Sequence, residues 1–206
     1  MALRLRFSSS AILGVALLTI SAAGQEVRVG ATAPAFTATD SRGQTETLAQ
    51  YRGKYVVLEW HNQGCPYTKK HYVSGNMQAL QKEWTAKGVA WFTVISSAPG
   101  QQGYVTPSEE NAYLAQMHAA PTGVLMDPEA KLARLYNAKT TPQMIVIDPS
   151  GKLIYDGAID NRPTPDVEDI HGADNYVSDA LTEAMTGKPV ATAFTRPYGC
   201  SVKYPD

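Results

Sequence analysis

One cysteine in this sequence stands where a thiol is chemically activated. Cys65 lies between Gly64 and Pro66, after an apolar run at residues 55–60 and a short polar loop. Because proline is tolerated at the first position of a helix, the sequence predicts a helix that begins at Pro66 with Cys65 as its N-cap. The free N–H groups and the dipole at such a helix end favour an anion. A thiolate there has a lowered pKa and is the reactive form, so we predict that Cys65 is a nucleophile rather than an inert buried cysteine.

A second cysteine, Cys200, lies near the C-terminus in a segment rich in aromatic and basic residues. The sequence has two cysteines in all, which allows at most one intramolecular bridge. We favour a Cys65–Cys200 pair, in which Cys200 resolves a sulfenic acid or a mixed disulfide on Cys65, or forms a permanent bridge to it. A resting dithiol, an intermolecular bridge and a free Cys200 are the alternatives.

Two polar residues close to Cys65 are further candidates. Glu59 stands inside the apolar run, where an unpaired carboxylate is costly. It either exchanges a proton near the cysteine sulfur or points outward from an edge strand, and we favour the first interpretation. Thr68 is expected to be structural or to donate a hydrogen bond to the Cys65 sulfur. His61 is expected to end the strand rather than to act as a base.

The dipeptide Thr141-Pro142 precedes another apolar run, at residues 143–148. About 5–6% of X–Pro bonds in folded proteins are cis, so the dipeptide by itself is a weak signal. A cis bond would expose the backbone groups of Thr141, with which an extended substrate chain can pair as an added strand.

The segments that must position these residues alternate between strand and helix and end in a hairpin and a helix. This order predicts an α/β sandwich with a mixed central sheet and flanking helices. Continuous apolar runs are typical of strands that are covered on both faces. The predicted strands are 55–60, 89–95, 123–126, 143–148 and 153–158; the predicted helices start at 66, 107, 129 and 174, and an N-terminal β-hairpin is predicted at 36–48.

Length and composition indicate one globular domain. The chain has 206 residues, of which 44% are hydrophobic, enough for one sizeable core. The formal net charge is −1 and no basic run is present, so nucleic acid is not expected as a partner. We predict a domain at residues 25–190 and a C-terminal tail at 191–206 that carries Cys200.

Residues 1–24 have the pattern of a signal peptide. Arg4 and Arg6 precede an apolar run at 11–20, and small residues follow at 21–24. The apolar run is shorter than the ~20 residues that a membrane span needs, so we expect no stable span after cleavage; an uncleaved anchor is the alternative. The mature protein is therefore expected to be exported, most plausibly to a bacterial periplasm, where disulfides are permitted.

The stretch 54–86, together with Pro142, resembles the thioredoxin superfamily, and specifically its redoxin or peroxiredoxin-like branch of the AhpC/TSA type. Cys65 matches the first cysteine of the thioredoxin Cys-x-x-Cys motif, and Thr68 stands where the second would be. Glu59 matches the buried acid of the central strand. The resemblance implies that Thr141-Pro142 is the cis-proline turn that faces the catalytic cysteine.

The resemblance also implies an activity, a thiol-dependent oxidoreductase with an antioxidant role. Its substrate would be a protein or small-molecule disulfide or a peroxide, and an external thiol would be the reductant, with no cofactor and no metal. Peroxiredoxins carry a threonine three residues before the reactive cysteine, where this chain has Asn62, so slow peroxide turnover is expected.

Two further functions stay open. One is a copper-binding chaperone, which would use Cys65, Cys200 and a histidine, since thiolates select Cu(I). The other is a non-catalytic binding domain that uses the groove beside Pro142, because a fold alone does not fix a function.

Overall fold

The computed structural model describes residues 27–205, so the predicted signal peptide lies outside the described residues. Within that range, no helix is both long enough and apolar enough to cross a membrane.

Strands and helices alternate along the described chain. The strands are β1 (Thr37–Asp40), β2 (Thr45–Thr47), β3 (Val56–Trp60), β4 (Ala90–Ile95), β5 (Gly123–Met126), β6 (Thr140–Thr141), β7 (Gln143–Ile147), β8 (Leu153–Gly157) and β9 (Cys200–Ser201). The α-helices are α1 (Pro66–Val73), α2 (Asn76–Ala86), α3 (Pro107–Gln116), α4 (Lys131–Leu135) and α5 (Tyr176–Met185), and short 3-10 helices lie at Leu48–Tyr51 and Val167–Ile170.

Seven of the strands form one mixed sheet in the order β2-β1-β5-β4-β3-β7-β8. Strands β3, β4 and β5 run parallel to one another, whereas β7 pairs antiparallel with β3 and β8 antiparallel with β7. Strands β6 and β9 form a separate two-stranded sheet. The predicted α/β sandwich with a mixed sheet is confirmed.

The centre of the sheet is covered on both faces, which explains the continuous apolar runs. Every residue of β3 and β4 is buried. Alternate residues of a strand point to opposite faces. Val57 therefore packs with residues of α1, α2, α3 and α5, while Leu58 packs on the other side with residues of α4 and with Val202.

The start of α1 follows from its sequence as predicted. Cys65 is the N-cap, with extended backbone angles, and Pro66 occupies the first turn. The helix ends at Val73, and Gly75, with a φ of +78°, begins α2 in a left-handed conformation that glycine adopts without strain. The helix predicted to start at residue 66 is thus divided into two, α1 and α2.

The C-terminal segment from residue 191 to 205, here called the tail, folds back onto the domain. Its strand β9 was not predicted, because two residues in a segment with prolines and glycines carry no periodic signal. Val202 is 6% exposed and belongs to the core on the α4 side. The Tyr198 hydroxyl donates to Oδ1 of the buried Asp160 at 2.5 Å.

Candidate active site

The two cysteines, 135 positions apart in the sequence, meet at the two-stranded sheet. Strands β6 and β9 pair antiparallel, with Thr141 opposite Cys200. The backbone N–H of Cys200 donates to the Cys65 sulfur at 3.4 Å, and the Cys65 thiol donates to the Thr141 carbonyl at 3.0 Å. Cys65 has no exposed surface, Cys200 is half-buried, and both are free thiols.

The contacts between the two thiols shift their pKa values in opposite directions. Burial by itself would raise the pKa of Cys65, but hydrogen bonds from the Cys200 thiol and from the backbone N–H groups of Thr68 and Cys200 outweigh it, and the pKa is lowered. Burial and the hydrogen bond to Cys65 raise the pKa of Cys200 to about 11. When the pair loses one proton, these opposite shifts favour the negative charge on Cys65 and the remaining proton on Cys200.

Thr68 assists the Cys65 sulfur through its backbone and not through its side chain. The hydroxyl is buried and has no hydrogen-bond partner among residues 27–205. Of the two expectations for Thr68, the hydrogen bond from its hydroxyl to the sulfur is therefore wrong, and the structural role stays a prediction. A backbone N–H in the first turn of α1 takes its place, which is the usual donor at a helix N-terminus.

The peptide bond between Thr141 and Pro142 is cis. It lies directly before β7, the neighbour of β3 in the sheet, and so stands close to the end of β3 where α1 begins. Thr141 is 4% exposed. Its carbonyl accepts from the Cys65 thiol, and its backbone is paired with Cys200 across the two-stranded sheet. The structure thus brings together Cys65, Cys200, Thr141 and Pro142.

Glu59 is buried in the middle of the sheet, so the outward-facing alternative is wrong. Its carboxylate accepts hydrogen bonds from the Tyr72 hydroxyl at 2.7 Å, from Trp91 Nε1 at 2.8 Å and from Gln81 Nε2 at 3.1 Å. Three donors compensate the loss of water around a buried carboxylate. Glu59 therefore also ties β3 to β4, α1 and α2.

His61 directly follows the last residue of β3, as expected of a strand-end residue, and extends this polar region toward α3. The side chain has no exposed surface and lies between two carboxylates, with Nδ1 3.8 Å from Glu59 and Nε2 3.4 Å from Glu110 Oε1. The rings of Tyr72 and Tyr113 enclose it, with centroids 4.7 Å and 5.6 Å away. The contacts between the His61 nitrogens and the two carboxylates are not aligned as hydrogen bonds. Among the described residues, both imidazole nitrogens and both Glu110 oxygens therefore have no hydrogen-bond partner.

The electrostatics of this cluster follow from its burial. Burial alone would lower the pKa of His61, but Glu110, Glu59 and Cys65 raise it above its ordinary value. Burial raises the pKa of Glu110, against the opposing effect of His61. The raised pKa values favour the protonated forms of His61 and Glu110, whose side chains have no exposed surface. His61 follows β3 directly and lies two residues after Glu59, so the extended backbone places both side chains on the same face. This spacing is the sequence signal that could have revealed the cluster.

Asn62 shapes the loop before Cys65 and does not face its sulfur. The side-chain oxygen accepts from the Gly64 N–H at 2.9 Å, and the side-chain nitrogen donates to Gln102 Oε1 at 3.0 Å. The backbone carbonyl of Asn62 accepts from the Cys65 N–H at 3.0 Å. The position that is threonine in peroxiredoxins thus supplies a turn here and no hydroxyl.

Across residues 27–205, no group of three or more histidine, cysteine, aspartate or glutamate side chains is arranged to hold a metal ion. The ligand set considered for copper, two cysteines and a histidine, is therefore not assembled in this part of the chain.

Comparisons with known proteins agree with the fold. A model of the AhpC/TSA family matches residues 29–156, more than half of the chain. Among curated proteins, Probable glutathione peroxidase 8-B of Xenopus laevis is 29% identical over 114 residues, which are 55% of this chain and 52% of that protein. The match thus spans about half of that protein's length.

Solved structures resemble most of the chain. An uncharacterized conserved protein from Geobacillus kaustophilus superimposes with a TM-score of 0.73 at 23% identity, over 87% of this chain and 94% of that one. A hypothetical protein from Sinorhizobium meliloti 1021 gives 0.73 at 22% identity, over 87% and 96%. A putative thiol:disulfide interchange protein DsbE from Chlorobium tepidum gives 0.51 at 24% identity, over 64% and 85%. These likenesses show the fold, a thioredoxin-like sandwich.

Proposed function

The chain belongs to the AhpC/TSA family, and we propose that it is a thiol-dependent oxidoreductase in which Cys65 is the nucleophile and Cys200 the resolving thiol. The observation that carries the proposal is the pairing of β6 with β9, which sets the Cys200 N–H 3.4 Å from the Cys65 sulfur. The lowered pKa of Cys65 and the raised pKa of Cys200 support the division of roles, because the thiolate is the attacking species.

The first step is an attack by the Cys65 thiolate on an oxidant. With a disulfide, a bond forms between Cys65 and one substrate sulfur while the other sulfur leaves as a thiolate. With a hydroperoxide, the terminal oxygen is transferred to Cys65 as a sulfenic acid, and the remaining alkoxide takes up a proton and leaves as an alcohol or water.

The second step resolves the oxidised Cys65. Cys200 loses its proton and attacks the Cys65 sulfur, which forms the Cys65–Cys200 disulfide. The leaving group is the second substrate thiol or, from a sulfenic acid, a water molecule. An external dithiol then reduces this disulfide and restores both thiols, so one turnover transfers two electrons from the reductant to the oxidant.

Thr141 and Pro142 hold the sulfur pair in place, and Glu59 with His61 forms the buried polar region behind it. The Thr141 carbonyl lies 3.0 Å from the Cys65 sulfur and fixes its side chain. The Glu59 side chain lies on the same face of the sheet as His61 and is fixed there by Tyr72. The negative charge on Cys65 raises the pKa of His61. This coupling supports a role for the cluster in proton transfer during the thiol cycle.

Disulfide exchange is the chemistry that the loop favours over peroxide reduction. Asn62 replaces the threonine of peroxiredoxins and turns toward Gly64 and Gln102, so no hydroxyl from this position orients a peroxide. Family membership favours peroxide reduction as the second candidate. We therefore expect slow consumption of hydrogen peroxide by the reduced protein.

The experiment is oxidation of the reduced protein with one equivalent of a small disulfide or of hydrogen peroxide, followed by peptide mapping. Wild type should form the Cys65–Cys200 disulfide and remain a monomer. Cys200→Ser should stop at a mixed disulfide or a sulfenic acid on Cys65, and Cys65→Ser should react with either oxidant only at the slow background rate of Cys200. A Cys200–Cys200 dimer, or two free thiols after oxidation, would show that Cys200 is not the resolving partner. Stopped-flow oxidation decides the order of the two chemistries, since fast peroxide consumption by Cys65 would reverse it.

We also propose that the protein is exported, with residues 1–24 removed, and that the mature chain consists of the domain at 25–190 and the tail. The charged start, the short apolar run and the small residues of the first 24 positions support export. An oxidising compartment suits a cysteine pair that cycles through a disulfide. Sequencing the N-terminus of the protein purified from its natural cell envelope tests this, and an intact Met1 would contradict it.

A further inference from the structure

The backbone edge beside Cys65, the place where a second polypeptide would have to pair, is filled by the protein's own tail. Thr140 pairs with Ser201 and Thr141 with Cys200. The N–H of Val202 donates to the Lys139 carbonyl at 3.0 Å and continues this pairing by one residue. The backbone edge of β6 that faces the tail is therefore already paired with β9.

The tail is held on its other side as well. Lys203 forms an isolated parallel bridge with Ser97, and its carbonyl accepts from the Ala98 N–H at 3.3 Å. The Tyr204 hydroxyl donates to the Ala138 carbonyl at 2.5 Å. The segment thus lies in a slot between the residues before β6 and those after β4.

Anchors upstream of Cys200 fix the approach of the tail. Thr195 Oγ1 accepts from the Ala158 N–H at 2.9 Å. The Tyr198 ring lies 5.9 Å from the Tyr67 ring on α1, and its hydroxyl donates to the buried Asp160. The tail is therefore anchored along its length and not at Cys200 alone, and Cys65 beside it has no exposed surface.

Gly199 makes this close approach feasible. Its φ of +128° is a conformation that side-chain-bearing residues rarely adopt. A Cβ at this position would lie 2.8 Å from the Thr141 carbonyl carbon and nearer still to its oxygen. A residue other than glycine would push the tail off the edge of β6.

We propose that the tail is a specificity-determining segment that closes the edge of β6 to extended polypeptides, so that Cys65 reacts with small molecules and Gly199 is the residue that permits the closure. The proposal rests on the proposed function and narrows its substrate to small disulfides or small hydroperoxides. A polypeptide disulfide would have to displace the paired residues 199–202 before its sulfur reached Cys65.

A pair of matched probes tests this. One is free cysteine carrying thionitrobenzoate in a mixed disulfide, and the other is a ten-residue extended peptide with the same mixed disulfide at its central cysteine. The Cys65 thiolate attacks the cysteine sulfur of either probe, and the thionitrobenzoate anion leaves and is followed by its absorbance. Cys65→Ser, run in parallel, gives the background from Cys200.

Wild type should react with the small probe at least about tenfold faster than with the peptide. Gly199→Val should abolish most of that preference by raising the peptide rate at least about tenfold. Ser201→Val is the matched control, because Ser201 is an exposed residue of the same strand, and it should behave as wild type. Tyr198→Phe removes one anchoring hydroxyl and should raise the peptide rate less than Gly199→Val.

Equal rates with the two probes in wild type would overturn the proposal, even if no variant folds. A peptide rate that is the same in folded Gly199→Val and in wild type would overturn it too. If neither probe reacts above the Cys65→Ser background, the proposed function itself fails, which is a different outcome from a loss of discrimination.

Discussion

Two buried carboxylates face the same imidazole from opposite sides, and they differ in how their oxygens are paired. Glu59, on β3, accepts three hydrogen bonds from Tyr72, Gln81 and Trp91. Glu110, on α3, accepts none, although its Oε1 lies 3.4 Å from His61 Nε2. Neither side chain is exposed.

This difference distinguishes a carboxylate whose hydrogen bonds join β3 to β4, α1 and α2 from one whose pKa is raised. A buried acceptor with three donors joins the elements that carry those donors, and removing it leaves each donor unsatisfied. A buried carboxylate without donors is costly as an anion, so its pKa rises, as it does for Glu110. Substitution of Glu59 should therefore lower the free energy of unfolding more than substitution of Glu110.

The largest effect is expected for Glu59→Leu. The substitution leaves the Tyr72 hydroxyl and the Trp91 indole N–H buried without an acceptor, at about 1–3 kcal/mol each. Gln81 Nε2 keeps only its longer contact with the Tyr72 oxygen, at 3.4 Å. The free energy of unfolding should fall by about 3 kcal/mol or more. Urea denaturation with an unchanged m-value measures it. Glu59→Gln keeps one acceptor oxygen and should lose less; equal losses for the two variants would mean that volume rather than hydrogen bonding holds this site.

A smaller effect is expected for Glu110→Gln. At neutral pH the unfolding free energy should change by less than about 1 kcal/mol, since the carboxylate makes no hydrogen bond that the amide would lose. The pKa of His61 should fall, because Glu110 is the largest of the influences that raise it. Titration of the His61 ring by NMR measures this shift, with Glu109→Gln, an exposed neighbour, as the control.

The sign of the pH dependence of Glu110→Gln follows from the same shifts. The folded-state pKa values of Glu110 and His61 are both raised. Their contributions to stability are therefore present below the unfolded-state values and are lost as the pH rises through the folded-state ones. Glu110→Gln should gain stability relative to wild type as the pH rises from about 4. A Glu110→Gln variant that loses stability relative to wild type as the pH rises would contradict the comparison.

The third effect is a shift in the pKa of Cys65, which the hydrogen-bond donors to its sulfur lower. Wild-type Cys65 should be alkylated with a midpoint below the ordinary thiol value of about 8.5. Cys200→Ala removes the thiol donor but keeps the backbone N–H, and should raise that midpoint by about half to one pH unit, the equivalent of one hydrogen bond. A midpoint at or above 8.5 in wild type would reject the activated thiol.

The sequence predicted the parts of the site that depend on local structure. The N-cap position of Cys65 follows from the proline after it, and the place of Glu59 follows from the apolar run around it, because both are set within a few residues. The parts that depend on distant contacts were missed. Glu110 reaches His61 only through the packing of α3 on the sheet, and β9 exists only because β6 offers an edge to it.

The pairing of β6 with β9 also sets an order of events in the life of each molecule. Cys65 and Cys200 are separated by 135 positions, so at a synthesis rate of about 5–20 residues per second the nucleophile is made roughly 7–27 s before its partner. During that interval, Cys65 has neither the thiol nor the backbone N–H of Cys200 beside it, and no tail covers it. Every newly made chain therefore passes through a stage in which the Cys65 sulfur is open to any oxidant or thiol nearby, and that stage ends only when residues 191–205 emerge and dock.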